Sequence, residues 1–216
     1  MTESRWGRLG AVSGIVFAVL FLASLFVPDL PSGSDANASS GARSSVIITA
    51  YLMGLAGIAF LGFLASLYRG LREAEGEAGT LATLALAAGV LFVAMLYASG
   101  SAWVAVPAGI EFGQEPQPTS DVAIWLTQLG FGTLLAYGMF SAIVVIVATS
   151  VLALRKAVLP GWLAWTGLVC AALLVFGVFY VPMIALPVWA IATSVAMLKH
   201  PAAQAQRAAQ PASVTA

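Results

Sequence analysis

The chain has 216 residues, of which 61% are hydrophobic and 8% are charged, whereas a soluble domain needs about 25% charged residues to cover its core. Nine Lys and Arg balance nine Asp and Glu, and the lack of excess positive charge excludes nucleic acid as a partner. A single cysteine, Cys170, and a single histidine, His200, exclude an internal disulfide and a metal cage of several His or Cys ligands.

Five stretches of the sequence contain no charged residue and no histidine, and each has at least 19 residues. A helix rises ~1.5 Å per residue, so each stretch can cross the ~30 Å of hydrocarbon in a bilayer. Open sheet edges leave backbone groups unpaired in hydrocarbon, so these stretches must be helices. We therefore predict an all-α fold, a polytopic transmembrane helical bundle over residues 1–200, with the lipid bilayer as its partner. The charge-free stretches are residues 9–27, 46–68, 80–106, 122–154 and 161–198.

The first stretch, residues 9–27, follows two arginines and precedes Ala36-Asn37-Ala38, which resembles the cleavage site of a secretory signal. Its 19 residues exceed the ~7 to 15 residues of a signal-peptide core. Pro28 and Pro31 also separate the stretch from that site. We interpret it as a first spanning helix.

The second and third stretches, residues 46–68 and 80–106, each predict one further spanning helix. Residues 69–79 between them are rich in charge and predict a short solvated helical extension on the inner side of the membrane. Residues 28–45 and 107–121 are predicted to be the loops on the outer side.

The last two stretches have unusual lengths. Residues 122–154 would leave only ~25 Å for each of two crossings and no turn, so we predict one long helix that is tilted or projects beyond the bilayer. Residues 161–198 would reach roughly 57 Å as one helix, so they must fold back. Pro182 and Pro187 lie near the middle of that stretch and mark the turn. We predict the fifth and sixth spans at residues 161–181 and 182–198.

Six spans place both chain termini on one side of the membrane, and the basic residues assign that side to the cytoplasm. Eight of the nine Lys and Arg then lie in the cytoplasm, and Arg43 alone lies outside. Splitting residues 122–154, or leaving residues 161–198 unsplit, would export two of those basic residues. Residues 201–216 are rich in Ala and Gln and predict a disordered cytoplasmic tail.

Tryptophans prefer the depth of the lipid headgroups. In the predicted topology Trp103 and Trp125 lie near the outer face, and Trp162 and Trp165 lie near the inner face. Trp189 falls in the middle of the sixth span, where we expect it to pack between the fifth and sixth helices.

No arrangement of residues predicts catalysis, so we expect no catalytic, cofactor-binding or metal-binding residue and a protein that is not an enzyme. Ionised groups inside a membrane cost at least ~2.5 kcal/mol and usually mark function, and the charge-free stretches hold none. Ser99 lies in a sequence that faintly resembles the serine loop of intramembrane proteases. A catalytic serine needs a base within hydrogen-bond distance, and His200 is predicted at the opposite, cytoplasmic side of the membrane. Glu111, Glu115 and Asp121 predict a solvated acidic loop rather than a metal site.

Gln128 is the only amide side chain inside a charge-free stretch. We expect it to bond across a close contact between two helices. The alternative is an outward-facing cavity, in which Gln128 and Trp125 on the fourth helix would lie opposite Tyr97, Ser99 and Trp103 on the third.

Small residues recur at helical spacing in the first two spans. Gly10 and Gly14 are four residues apart, and Gly54 and Gly57 are three apart. Because small residues let helix backbones approach in lipid, we predict that these positions are packing surfaces.

The fourth and fifth predicted helices are joined by the segment Leu154-Arg155-Lys156-Ala157-Val158-Leu159-Pro160-Gly161-Trp162-Leu163-Ala164-Trp165-Thr166-Gly167. Its basic pair, its Leu-Pro and its two tryptophans three residues apart resemble the same loop in a family of uncharacterised bacterial integral membrane proteins. Gly161 stands where that family usually has a basic residue, and Ala164 where it usually has glycine. The resemblance implies a compact bundle in a bacterial inner (plasma) membrane, and it implies no site residues.

Two functional hypotheses follow. The first is a non-enzymatic accessory or interaction protein with an unknown membrane-protein partner, because packing motifs are present and reactive groups are lacking. The alternative is a carrier or pore for a small neutral or lipophilic solute, with Gln128, Tyr97 and Ser99 in its path. A lipid-modifying enzyme is disfavoured, because no acid, base or metal ligand is predicted at the membrane interface.

Overall fold

The structure, a computed structural model, describes residues 3–27, 39–77, 79–156, 160–176 and 181–199. Nearly all of these residues are helical, and none of them lies in a β-strand. This confirms the predicted all-α class. The helices are α1 (Glu3–Leu25), α2 (Ser40–Glu75), α3 (Thr80–Gly113), α4 (Ser120–Lys156), α5 (Gly161–Val175) and α6 (Ala185–Lys199), with a 3₁₀ turn at Val181–Ile184 before α6.

The six helices form a closed ring in the order of the chain. Each helix packs against the next one, and α6 packs against α1. Short connections of residues 76–79 and 114–119 make α2, α3 and α4 run in alternating directions. The ring therefore has two ends, and the start of α1 and the end of α6 lie at the same one.

The two ends differ in charge. The end with the α2–α3 connection, here called the basic end, has five Lys and Arg and three Glu among the described residues outside α1; the opposite, acidic end has one Arg and three carboxylates. The charges of the acidic end are Arg43, Glu111, Glu115 and Asp121.

Aromatic side chains fill the middle of the ring. Phe60 of α2 contacts Phe17 of α1 and Phe92 of α3, with ring centroids 4.8 and 5.0 Å apart. Phe63 meets the edge of Trp189 from α6 at 6.0 Å, and all five side chains are at most 1% exposed. Close packing of these rings adds dispersion attraction at the centre of the ring.

Glycines and serines set the spacing of the helices around this centre. Ser13 Oγ of α1 donates to the Ala59 carbonyl of α2 at 2.6 Å. Several glycines face a serine so closely that an added Cβ would overlap it, and the pairs are Gly10 with Ser66, Gly14 with Ser194, Gly62 with Ser13 and Gly167 with Ser150. The packing surface predicted at Gly10 and Gly14 is thus present.

Helices α2 and α3 extend furthest beyond the charge-free stretches that predicted them. Helix α2 begins at Ser40, with Ser39 Oγ accepting the Ala42 N–H at 3.1 Å as a cap. Helix α3 continues through Pro107 to Gly113, so the prediction that a loop begins at Pro107 is wrong. A proline removes one N–H donor from a helix without ending it where neighbouring contacts compensate. A charge-free stretch therefore gives the apolar part of a helix, and the helix itself can continue into charged residues on either side.

The last two predicted stretches fold largely as expected. Residues 122–154 lie in the single helix α4, as the length of the stretch predicted. Residues 161–198 include two helices, as predicted: α5 ends at Val175 and α6 begins at Ala185. The predicted boundary at 181/182 falls in the 3₁₀ turn at Val181–Ile184. Pro187 lies in the first turn of α6. Proline is tolerated there because the backbone N–H groups of a first turn make no hydrogen bonds within the helix.

By length and composition, α2, α3 and α4 can each cross a membrane, whereas Leu9–Leu25, α5 and α6 are shorter apolar helices. The tail at residues 201–216, His200 and most of the first predicted loop lie outside the described residues.

A carboxylate fixes the α2–α3 connection at the basic end. Glu75, the last residue of α2, accepts the backbone N–H groups of Leu81 at 2.9 Å and Ala82 at 2.8 Å, which have no partner within the first turn of α3. Gly79 has φ 52°, and the Arg72 guanidinium lies where its Cβ would be. The positive φ favours glycine at this position.

The hydrogen bonds from the backbone N–H groups of Leu81 and Ala82 hold the pKa of the Glu75 carboxyl below its ordinary value, and the bond from Leu81 has the larger effect. Because the pKa of Glu75 is lowered only in the folded state, the carboxylate stabilises the fold fully at pH values above the ordinary carboxyl pKa. This stabilisation is lost as the pH falls through the lower pKa of the folded state. We expect Glu75→Gln to lower the Tm at neutral pH and to flatten the loss of Tm on acidification, measured by circular dichroism in detergent. Glu73→Gln, at an exposed position of the same helix, is the control, and identical Tm–pH curves for the two variants would contradict this role.

Candidate functional site

An apolar groove runs along the side of the bundle between α2 and α3. Its volume is about 560 Å³, within the ~300 to 1,000 Å³ of typical ligand pockets. It extends from Ile47 to Ile58 along α2, about 16 Å at ~1.5 Å per residue, and it is open to the surroundings along one side. The α3 side is lined by Leu96, Tyr97, Gly100, Ser101, Val104, Ala108 and Phe112.

An ion pair lies next to the groove at the acidic end. Arg43 Nε donates to Glu111 Oε1 at 2.6 Å and joins α2 to α3. Arg43 lies one helical turn before Ile47, and Glu111 adjoins Phe112, so the pair continues the two walls of the groove. The side chains are 18% and 31% exposed, which shields the pair in part from solvent and strengthens it relative to a surface pair.

Tyr97 closes the other end of the groove. Its ring lies against Gly57, where a Cβ would overlap it, and its hydroxyl donates to the Gly54 carbonyl at 3.3 Å. Gly57 is therefore a packing position, as the sequence predicted. Its neighbour Gly54 differs, because a Cβ there would meet no atom within 4 Å.

Two glycines keep the floor of the groove open. Gly54 of α2 and Gly100 of α3 both line the groove, and a Cβ on either would meet nothing within 4 Å. Glycine in a helix interior costs ~1 kcal/mol relative to alanine. Neither position needs glycine to avoid a clash in this structure, so the space itself is what the two residues provide.

Of the five residues predicted as cavity lining, the structure places Tyr97 in this groove. Ser99 and Trp103 lie at the contact between α3 and α4 instead: the buried Ser99 Oγ donates to the Gly130 carbonyl at 2.7 Å, and Trp103 Nε1 donates to the Thr127 carbonyl at 3.1 Å. Gln128 and Trp125 are exposed on the outer surface of α4. The structure therefore does not bring Gln128 and Tyr97 together.

The α3–α4 contact adjoins an irregular turn. Residues Thr133–Gly138 of α4 are π-helical, and such a turn leaves backbone carbonyls short of regular partners. The Ser99 hydroxyl supplies a donor to Gly130 just before the turn, and Gly130 has no room for a side chain beside Trp103. Ser99 thus fastens two helices, and its hydroxyl is occupied.

The sequence did not single out Arg43, Gly54 or Gly100 as parts of one site. Arg43, Ile47 and Gly54 recur at helical spacing on one face of α2, and this periodicity is the signal that was available. Among the described residues, no three His, Cys, Asp or Glu side chains gather in a way that could hold a metal ion.

We expect Ser99→Ala to destabilise the protein by about 0.6 to 1.7 kcal/mol, because it removes a bond between two helices inside the bundle. Ser101→Ala is the control, since Ser101 Oγ is exposed and bonds the Tyr97 carbonyl of its own helix. The measurement is thermal unfolding of both variants in the same detergent. Equal Tm values would contradict the assignment of Ser99 as a link between α3 and α4.

No protein-family model, no curated protein and no solved structure matches this chain. The resemblance of residues 154–167 to a bacterial membrane family stays a prediction. The geometry of the groove is therefore the basis for a functional proposal.

Proposed function

We propose that this chain is an integral membrane protein with six spans and with both termini in the cytoplasm. Helices α2, α3 and α4 have the length and composition of membrane spans, and α1, α5 and α6 complete the same ring. Helices α5 and α6 have 15 residues each, about 22 Å, a length that local thinning of the bilayer accommodates. The basic end is the end that the positive-inside rule assigns to the cytoplasm.

The proposed location is the plasma membrane, in a bacterium the inner membrane. Support for a membrane comes from the apolar helices and from the exposed apolar side chains around the ring. Support for a bacterial protein comes from the resemblance in residues 154–167.

The proposed activity is the binding of a lipophilic molecule in the groove between α2 and α3, without catalysis. The observation that carries this proposal is the open, apolar space that Gly54 and Gly100 leave on the side of the bundle. A molecule dissolved in the bilayer can enter this space sideways. The aromatic rings in the middle of the ring count against a water-filled pore, so within the carrier hypothesis a lipophilic solute is favoured over a polar one.

An accessory role remains the second candidate, in which a partner membrane protein occupies the same groove. Ala50, Gly54, Gly100 and Ala108 line it, and small residues are the type that lets the backbone of another helix approach closely. Both candidates assign the function to the groove. Its occupant is a lipophilic molecule in the first and a partner membrane protein in the second.

The topology is testable by labelling with a membrane-impermeant thiol reagent. In a Cys170→Ala background, single cysteines replace Gln117 at the acidic end, Glu77 at the basic end, or Ala203 in the tail. We expect labelling of intact cells at Gln117 only, and of all three positions after the cells are opened. Labelling of Ala203 from outside would overturn the six-span proposal.

The groove is testable by filling it. We expect a diacyl lipid with a photoreactive group in one chain, added in trace amount to vesicles that hold the full-length protein, to label α2 and α3 along the groove more strongly than the outer face of α4. The double variant Gly54→Leu/Gly100→Leu should lower this label by about tenfold, equivalent to ~1.4 kcal/mol. Peptide mapping by mass spectrometry is the measurement.

Gly132→Leu is the matched control. A Cβ at Gly132 also meets nothing within 4 Å, but this glycine lies on the exposed face of α4, so the variant should retain the groove label. If the double variant kept full labelling, or if the groove labelled no better than the face of α4, the lipophilic function would fail.

A further inference from the structure

The groove occupies one half of the bundle, from the acidic end to the middle of the helices. On α2 its lining residues end at Ile58, and on α3 they begin at Leu96. Each of these residues is one of the two central residues of its helix, Ser40–Glu75 or Thr80–Gly113. Ile58 also lies beside the middle of the charge-free stretch 46–68. The groove therefore ends near the midplane of the membrane.

The same two helices are closely packed in the other half. Leu64 of α2 lies so close to Gly89 of α3 that a Cβ on this glycine would overlap it, and both residues are buried. At the centre, the ring of Tyr97 lies against Gly57 in the same way. Toward the basic end the space beside a glycine is thus filled by the neighbouring helix, whereas the space beside the two glycines of the groove stays open.

The groove offers its occupant no charge to pair with. None of the described residues that line it is Asp, Glu, Lys, Arg or His, and Arg43 and Glu111 beside it pair with each other at 2.6 Å. An ionised group in the groove would lie at the depth of hydrocarbon without a counterion, which is strongly unfavourable. The part of the ligand that enters the groove is therefore uncharged.

The length of the groove matches one leaflet of a bilayer. The hydrocarbon is ~30 Å thick, so each leaflet contributes ~15 Å, and the groove extends about 16 Å along α2 at ~1.5 Å per residue. A spanning helix of a partner protein crosses both leaflets, so the groove would hold only half of it. A lipid chain ends near the midplane and can fill the groove along its whole length.

We propose, building on the function proposed above, that the occupant is a hydrocarbon chain of a lipid in the leaflet at the acidic end, which is the outer leaflet in the proposed topology. The chain enters from the side, its first carbons lie near the Arg43–Glu111 pair, and its end lies at Tyr97. A lipid of the other leaflet meets the closed contact between Leu64 and Gly89. The protein therefore takes its ligand from one leaflet only.

The test delivers a photoreactive lipid to one leaflet. Full-length Cys170→Ala/Gln117→Cys protein is reconstituted into vesicles in both orientations, and a trace of diacyl phosphatidylcholine with a photoreactive group in one chain is added from outside. After illumination, an impermeant biotin–maleimide captures the molecules whose acidic end faces outward. We expect the captured molecules to carry about tenfold more label in the groove than the uncaptured ones, equivalent to ~1.4 kcal/mol, measured by peptide mapping.

Two controls assign this difference to the leaflet and to the groove. Probe mixed into both leaflets before the vesicles form should label the two orientations equally. In the same background, Gly54→Leu/Gly100→Leu should reduce the groove label of the captured molecules to that of the outer face of α4, whereas Gly132→Leu should retain it. A fluorescent analogue bleached by an impermeant reductant verifies that the probe stays in the leaflet to which it was added.

The position of the photoreactive group along the chain tests the direction of binding. A group near the glycerol should label the acidic end of the groove, around Ile47 and Phe112, and a group near the end of the chain should label the region of Leu55 and Tyr97. The reverse order would overturn the proposed direction of the chain.

The remaining outcomes separate this proposal from the function on which it rests. Equal groove labelling of both orientations by probe confined to the outer leaflet of the vesicles, or stronger labelling of the uncaptured molecules, would overturn the selection of one leaflet and leave the lipophilic function standing. A groove that labels no better than the outer face of α4, even with probe in both leaflets, would overturn both.

Discussion

Hydrocarbon solvates neither an ionised side chain nor an unpaired backbone amide, and this constraint explains the chain at every level. It keeps the charges out of five long stretches of sequence and makes those stretches helical. It also removes the hydrophobic force that holds a soluble core together, because lipid is as apolar as the interior of the bundle. What remains to hold the ring is contact: Phe60 against Phe17 and Phe92, and glycines against serines.

Glycine has two opposite uses in this ring. At Gly10, Gly14 and Gly167 it brings a neighbouring helix so close that a methyl group would overlap a serine. At Gly54 and Gly100 the space that glycine vacates stays open. The first use closes the ring and the second opens its side. The sequence cannot distinguish the two uses, since both appear as small residues at helical spacing; only the position of the neighbouring helix decides between them.

The class of the fold was predictable from the sequence because the exclusion of charge from hydrocarbon acts on every residue of a span. The single helix α4 and the hairpin of α5 and α6 followed from length alone. The ends of α2 and α3 did not, because Arg43 and Glu111 are charged and yet helical, paired with each other beyond the apolar stretch. A pair formed between residues far apart in sequence is invisible to any local pattern.

The candidate site was predictable only in part for the same reason. Tyr97 was identified from its polar group, and it lies in the groove. Gln128 and Ser99 also carry polar groups, but Gln128 is exposed on the outer face of α4 and the Ser99 hydroxyl donates to the Gly130 carbonyl. Polar groups in a membrane protein serve packing as well as function, so polarity alone does not identify a site. The space beside a residue does, and space is a property of the assembled helices.

The two helices that form the groove are tied to each other at both of their ends. At the basic end Glu75 and Arg72 tie α2 to α3 through the backbone of their connection, and at the acidic end the Arg43–Glu111 pair spans the same two helices. The two ties lie on either side of the small residues that line the groove. An empty space of this size would forfeit dispersion contacts along both walls, and in a bilayer the atoms at hand to restore those contacts belong to lipid chains. In the proposed function, the groove is the place that such a chain fills.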